Sequence, residues 1–288
     1  MNFTSDNVRG AVFMAVCMAF FVFNDAVMKL AAGQFSLFQA MFLRGIAATT
    51  MIGLIAWYQN ALFYTISRKD RRILILRIIA EVGATLTFLN ALFNMPLANA
   101  TAILQALPLV VTLAAALFLR EAVGWRRYLA IIIGFSGVLI IVRPGVEGFN
   151  IFSVSAIAAV LFVTLRDLAT RQLSVGIPSV LVTFLASFMV MTTGAVLSPL
   201  MEWKPVEISS LFLLFIAAVF IIFGYLFSVM AMRVGEIGFV SPFRYTILIW
   251  AIILGYVVFG DIPDNWTIFG TTIVVATGMF TFYRERQV

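Results

Sequence analysis

The amino-acid sequence predicts an all-α membrane protein whose ten transmembrane helices form two inverted five-helix repeats. Three observations carry that expectation. Of the 288 residues, 63% are hydrophobic and only 11% charged, against about 45–50% and about 25% in soluble domains. Cutting the chain at clusters of charge, Pro, Gly and Asn leaves ten apolar runs, each near the ~20 residues that a bilayer-spanning helix needs. The chain also matches itself at a single offset near 141.

The first half supplies apolar runs over 9–31, 36–58, 73–94, 98–119 and 125–142, and the second over 150–170, 177–199, 208–231, 237–259 and 265–283. The first run ends near Ala31-Ala32-Gly33, a small-residue pattern like that of a signal-peptide cleavage site. Asp25 and Lys29 would interrupt the apolar region such a peptide requires, so this run counts as a span. The connections are short, so the chain reads as one membrane domain made of residues 1–145 and 146–288. Basic residues collect at the termini and in alternate gaps, at Arg9, Arg68, Lys69, Arg71, Arg72, Arg120, Arg126, Arg127, Arg166, Arg171, Arg233, Arg284 and Arg286, whereas the other gaps hold Lys29, Arg143 and Lys204. Cytoplasmic loops carry the basic excess, so both termini are expected in the cytoplasm of a multi-pass protein of the bacterial inner membrane.

The internal match runs through all five spans. Phe20 meets Phe162, Asp25 meets Asp167, Lys29 meets Arg171, Glu121 meets Asp261, Trp125 meets Trp266 and Gly137 meets Gly278. Five spans is an odd number, so the second half must enter the membrane from the opposite side, the inverted plan of many secondary transporters. The loop at Glu121 is rich in arginine and its counterpart at Asp261 and Asp264 has no basic residue, as inversion requires.

Composition excludes several functions. One cysteine, Cys17, and no histidine remove an internal disulfide framework and the common zinc and haem ligand sets, so no cofactor is expected. The net charge of +6 lies in short gaps rather than on one soluble face, which argues against nucleic acid. No nucleophile with a base, and no carboxylate dyad at bundle depth, supports an intramembrane enzyme, the rival reading from another class. No ring of like charge or carbonyl filter supports a channel.

Ala98-Asn99-Ala100-Thr101-Ala102, then Pro108, Glu121, Gly134 and Gly137, with Arg44 in the second span, resemble the ten-helix EamA-type branch of the drug/metabolite transporter superfamily. The second half departs from this pattern, with Pro242 in place of an aligned proline and Asp261 in place of the glutamate. The resemblance implies a secondary transporter working by alternating access on a small-molecule substrate. It points to bacterial exporters of aromatic and other neutral amino acids, with nucleotide-like, vitamin and drug carriers as the alternative. The partners expected are substrate and lipid, for a monomer or weak homodimer.

Charged and amide side chains inside apolar spans are costly and mark candidate sites. Asp25 with Lys29, and Asp167 with Arg171, are spaced i, i+4 and are expected to pair at helix ends, with gating as the competing role. Arg44, Glu81 and Arg244 lie roughly 12 Å deep at 1.5 Å per residue. Glu81 is expected to pair with Arg244 or Arg77, as a clamp or as part of the substrate path. Asn24, Asn90, Gln105, Tyr225, Arg244 and Tyr245, with Phe20, Phe88 and Phe243 beside them, form the expected substrate-binding set. Gln105 and Tyr245 are repeat-equivalent, which favours a shared cavity face. Spans 1, 3, 4, 6, 8 and 9 are expected to line the cavity, with 5 and 10 peripheral.

Overall fold

The computed structural model describes residues 3–118, 124–143, 150–174, 176–234 and 237–285, and among them every regular element is helical. Helices α1 (Phe3–Ala31), α2 (Leu37–Tyr58), α3 (Arg68–Asn94), α4 (Leu97–Leu104), α5 (Leu107–Phe118) and α6 (Trp125–Val142) make up the first half. Helices α7 (Phe152–Arg171), α8 (Ser179–Leu197), α9 (Ile208–Val234), α10 (Ile237–Val240), α11 (Thr246–Phe259) and α12 (Asn265–Glu285) make up the second. Among the described residues, nine helical stretches are long and apolar enough to cross a membrane. The tenth expected span corresponds to α12, a 21-residue helix. Glu121 lies outside the described residues.

Two expected spans are broken. The fourth divides into α4 and α5 at Gln105 and Ala106, where bonds from Ala106 to Ile103 and from Leu109 to Ala106 tighten the turn. Pro108 is the cause, because its ring disfavours helical geometry at the preceding residue and it has no N–H to give. The ninth divides at a 3₁₀ turn, Ser241–Tyr245, which contains Pro242. Elsewhere ends are set by ordinary capping. Ser67 accepts the Asp70 N–H at 3.1 Å to start α3, and Gly260, at φ +69°, ends α11 in the left-handed conformation that glycine adopts without strain.

The principal helix pairs are α1 with α9, α3 with α7, α2 with α8 and α6 with α12. Small residues allow these approaches. Gly83 on α3 receives the Phe162 ring of α7, and Gly224 on α9 receives the Phe21 ring of α1, each ring 2.7 Å from where a Cβ would stand. Gly137 and Gly270 bring α6 and α12 into backbone contact. Helices α4 and α11 pack on each other, α11 also on α1, and α4 and α5 on α7.

The largest apolar core lies toward one end of the bundle and ties seven helices together through Val22 and Met28 on α1, Met41 on α2, Leu92 on α3, Leu97 on α4, Val190 on α8, Leu214 on α9 and Ala251 on α11. The turns at that end are laced across the bundle. Lys29 donates to the Met95 carbonyl oxygen, Gln39 exchanges hydrogen bonds with the backbone of Lys204 at 2.8 and 3.2 Å, and Arg143 pairs with Asp264. At the other end the apolar contacts separate into groups. Met14, Cys17 and Met18 of α1 pack with Ala231 and Val240, while Leu74 of α3 packs with Ile177 and Val182.

Candidate functional site

Between the α1/α9 pair and the α3/α7 pair lies a cluster of charge. Glu81 on α3 is held by Arg77, one turn earlier, at 3.5 Å and by Arg166 of α7 at 3.4 Å. Arg166 also binds Asp167 at 2.9 Å, and Arg77 Nε donates to Thr170 at 3.1 Å. On the facing side Arg44 of α2 donates to Asn24 Oδ1 at 3.0 Å, and Asn24 Nδ2 donates to Asp25 Oδ1 at 2.9 Å. Tyr225 of α9 lies within electrostatic reach of Glu81, Arg166, Arg77 and Arg44, which joins the two sides. Tyr225 as a residue is 43% exposed.

The cluster balances three guanidinium groups, Arg44, Arg77 and Arg166, against three carboxylates, Asp25, Glu81 and Asp167. Neutrality is what a low-dielectric interior demands, since an unpaired charge there is far more costly than a paired one. An aromatic wall stands beside it. Phe21 meets Tyr225 edge-on at 5.6 Å, and Phe20 stacks with Phe223 at 5.4 Å and Phe227 at 5.7 Å.

The structure brings together Asn24, Asp25, Glu81, Asp167 and Tyr225 of the expected set, whereas Phe20 packs on Phe220, Phe223 and Phe227 of α9. It separates others. Lys29 does not meet Asp25, because its ammonium is drawn to the Met95 carbonyl and lies 5.3 Å from the centre of the Phe259 ring. Asp167 pairs with its neighbour Arg166. The expected Glu81–Arg244 pair is absent among the described residues, because the break at Ser241–Tyr245 leaves Arg244 exposed. Asn90 ties α3 to α7 through Ser155 at 2.9 Å, and Phe88 packs between the two largest cores. Phe243 packs beside Phe239, at 5.9 Å, in the core around Met14 and Cys17.

Tyr245 and Gln105 occupy the two helix breaks, yet the structure does not turn them to one face of the charge cluster. Tyr245 is buried, and its hydroxyl stands where a Cβ on Gly278 of α12 would be. Gln105 is half-buried, with an amide nitrogen that has no partner. Sequence reasoning missed Arg166 as a site residue, having assigned it to a loop, although it aligns with Asn24 once Asp25 is set against Asp167. It also left span 2 out of the cavity, whereas α2 contributes Arg44.

A helical bundle that spends this much buried charge at its centre belongs to the membrane proteins that handle polar solutes. Residues 8–143 match the EamA-like transporter family. The first half of the chain thus matches a transporter family of the drug/metabolite transporter superfamily, and its apolar helices are those of a multi-pass membrane protein. It is 29% identical to a riboflavin transporter of Vibrio cholerae over 70% of this chain and 68% of the relative. It is 26% identical to an S-adenosylmethionine uptake transporter of Rickettsia prowazekii over 67% of this chain and 65% of the relative, so it spans about two thirds of the length of these proteins. The pseudopaline exporter CntI of Pseudomonas aeruginosa is 25% identical over 94% of this chain and 95% of its own. A solved crystal structure at 17% identity has the same fold, with a TM-score of 0.62 over 99% of this chain and 98% of that one.

Proposed function

We propose that this chain is a secondary transporter that moves small neutral or zwitterionic metabolites, amino acids foremost, out across the bacterial inner membrane by alternating access. The observation that carries this reading is the charge-neutral cluster of Arg44, Arg77, Arg166, Asp25, Glu81 and Asp167 beside the aromatic pair of Phe21 and Tyr225. Such a site favours a solute of no net charge with a ring or apolar body. A polyanion would meet three carboxylates, and a sugar would find few hydrogen-bonding groups.

Alternating access follows from two inverted halves. Exchanging the halves maps α1 on α9 to α7 on α3, α2 on α8 to itself and α6 on α12 to itself, and these are the packing pairs observed. Gly83 with Phe162 and Gly224 with Phe21 are related by the same exchange. The end bearing Lys29, Met95 and Lys204 is laced shut, and the end bearing Arg68 and Lys69, cytoplasmic by its basic residues, is where the site opens.

A second reading, a carrier of a vitamin or nucleoside-like solute, is favoured by the names of the riboflavin and S-adenosylmethionine relatives. Purified protein in proteoliposomes, offered labelled amino acids, nucleosides, riboflavin and S-adenosylmethionine with and without a pH gradient, decides between them. Counterflow of an amino acid alone is the expected result. Counterflow of riboflavin or S-adenosylmethionine without any amino acid would establish the second reading.

A further inference from the structure

The paired charges in the cluster are unequal in what they leave free. Glu81 is saturated by two guanidinium groups and Asp167 by one. Asp25 has no basic side chain within ion-pair distance among the described residues, its contact being the Asn24 amide. Arg44 spends Nη1 on Asn24 Oδ1, and its Nε–H is buried with no partner among the described residues. A buried donor left unpaired, most of all on a charged group, is costly, and a native fold retains one only for a reason.

Asn24 is 2% exposed and stands between the two charges, accepting from Arg44 and donating to Asp25. The amide keeps the guanidinium and the carboxylate within electrostatic reach without letting them quench each other. A guanidinium and a carboxyl, bridged by a neutral amide, match the two ends of a zwitterion. Phe21 shares a face of α1 with Asp25 by its i, i+4 spacing and meets the Tyr225 ring, so an apolar body has a surface beside the charged end. Arg77 also has an unpartnered nitrogen, Nη1, but its charge is already met by Glu81 and its Nε by Thr170.

We infer that Arg44, Asn24 and Asp25 form a bipolar subsite for an amino-carboxylate, the Arg44 Nε–H receiving the carboxylate and Asp25 the ammonium. This rests on the zwitterion reading above and adds which residues select the charged end and in which sense. It predicts discrimination against solutes that carry only one of the two groups. Losing a desolvated charge contact of this kind costs roughly 10- to 100-fold in affinity.

The test uses full-length protein in lipid nanodiscs and three probes with a common ring, L-phenylalanine, phenethylamine and 3-phenylpropionate, with affinity read by calorimetry and fold by thermal midpoint. L-Phenylalanine is expected to bind at least 10-fold tighter than either analogue. In Arg44→Gln it is expected to fall to the affinity of phenethylamine, and in Asp25→Asn to that of 3-phenylpropionate. Should either variant fail to fold, Arg44→Lys, which keeps the charge and lacks the Nε–H, and Asp25→Glu read the same preference, the lysine weakening it and the glutamate preserving it. Equal affinity for L-phenylalanine and phenethylamine in the unaltered protein overturns the inference, as does an unchanged preference in Arg44→Gln or Arg44→Lys. Failure of all three probes to bind also overturns it, and leaves the transporter reading to the separate counterflow panel.

Discussion

Glu81 sits between two guanidinium groups whose side chains are only 13% and 25% exposed, so its carboxylate works as a clamp joining α3 to α7. Replacing it with Gln keeps the shape and removes the charge, leaving Arg77 without its carboxylate and Arg166 with Asp167 alone. Glu81→Gln is therefore expected to cost about 3 kcal/mol, the lower end of what breaking a buried pair costs, since the site is partly hydrated. The lowered thermal midpoint of the purified variant checks this, and any pH dependence of transport is expected to survive the substitution. At the laced end, Asp264 is a different case. Partial burial pushes its carboxyl up, but hydrogen bonds from Thr267 and Arg143 outweigh this and hold it below the usual carboxylate range. A depressed folded value means its contribution is complete above the unfolded value of about 3.9 and is lost as pH falls through the folded one. The difference in thermal midpoint between the native protein and Asp264→Asn is thus expected to be constant near neutrality and to vanish in acid.

Between elements, close backbone approach sets the tolerance to substitution. A Cβ at Gly137 would lie 2.8 Å from the Gly270 carbonyl oxygen, and one at Gly270 would lie 2.6 Å from that of Gly137. Backbone cannot swing aside as a side chain does, so Gly270→Ala must push α12 from α6, at the 1–3 kcal/mol typical of overpacking, roughly. At Gly124, which begins α6, a Cβ would meet nothing within 4 Å, and Gly124→Ala is expected to leave the thermal midpoint unchanged. The same scale shows how far the sequence alone reached. Apolar length located the nine membrane-length stretches seen among the described residues, because burial of backbone polar groups in lipid leaves a helix no alternative. The break at Ser241–Tyr245 escaped it, since the 237–259 run is apolar on both sides of it and one proline is compatible with either a kink or a divided helix. Arg166 was hidden for a related reason. Charge counting places a basic residue near a helix end in the loop, but α7 continues to Arg171 and carries Arg166 inside, where Glu81 receives it. Asn24, Asp25 and Tyr225 were legible because a polar side chain in an apolar run has to be explained.

For the whole molecule, the asymmetry between the two ends defines a resting conformation. Met28 of α1 is fully buried in the core that joins α1, α2, α3, α4, α8, α9 and α11, whereas Tyr225, nearer the other end of the bundle, is 43% exposed. Alternating access requires that this asymmetry reverse during transport, as a population shift between two packings. Labelling reads it directly, because the chain has one cysteine and that residue is fully buried, donating to the Gly224 carbonyl oxygen at 3.1 Å. Cys17→Ser keeps a donor at that place and supplies the background. In it, Tyr225→Cys is expected to react with a maleimide from the cytoplasmic side, and Met28→Cys to resist the same reagent from either side at rest. An imposed outward solute gradient is expected to raise the labelling of Met28→Cys from outside and to lower that of Tyr225→Cys from inside. Labelling of Met28→Cys from outside at rest, as fast as that of Tyr225→Cys from inside, would mean that the laced end does not seal and that two-sided exposure fails as the mechanism.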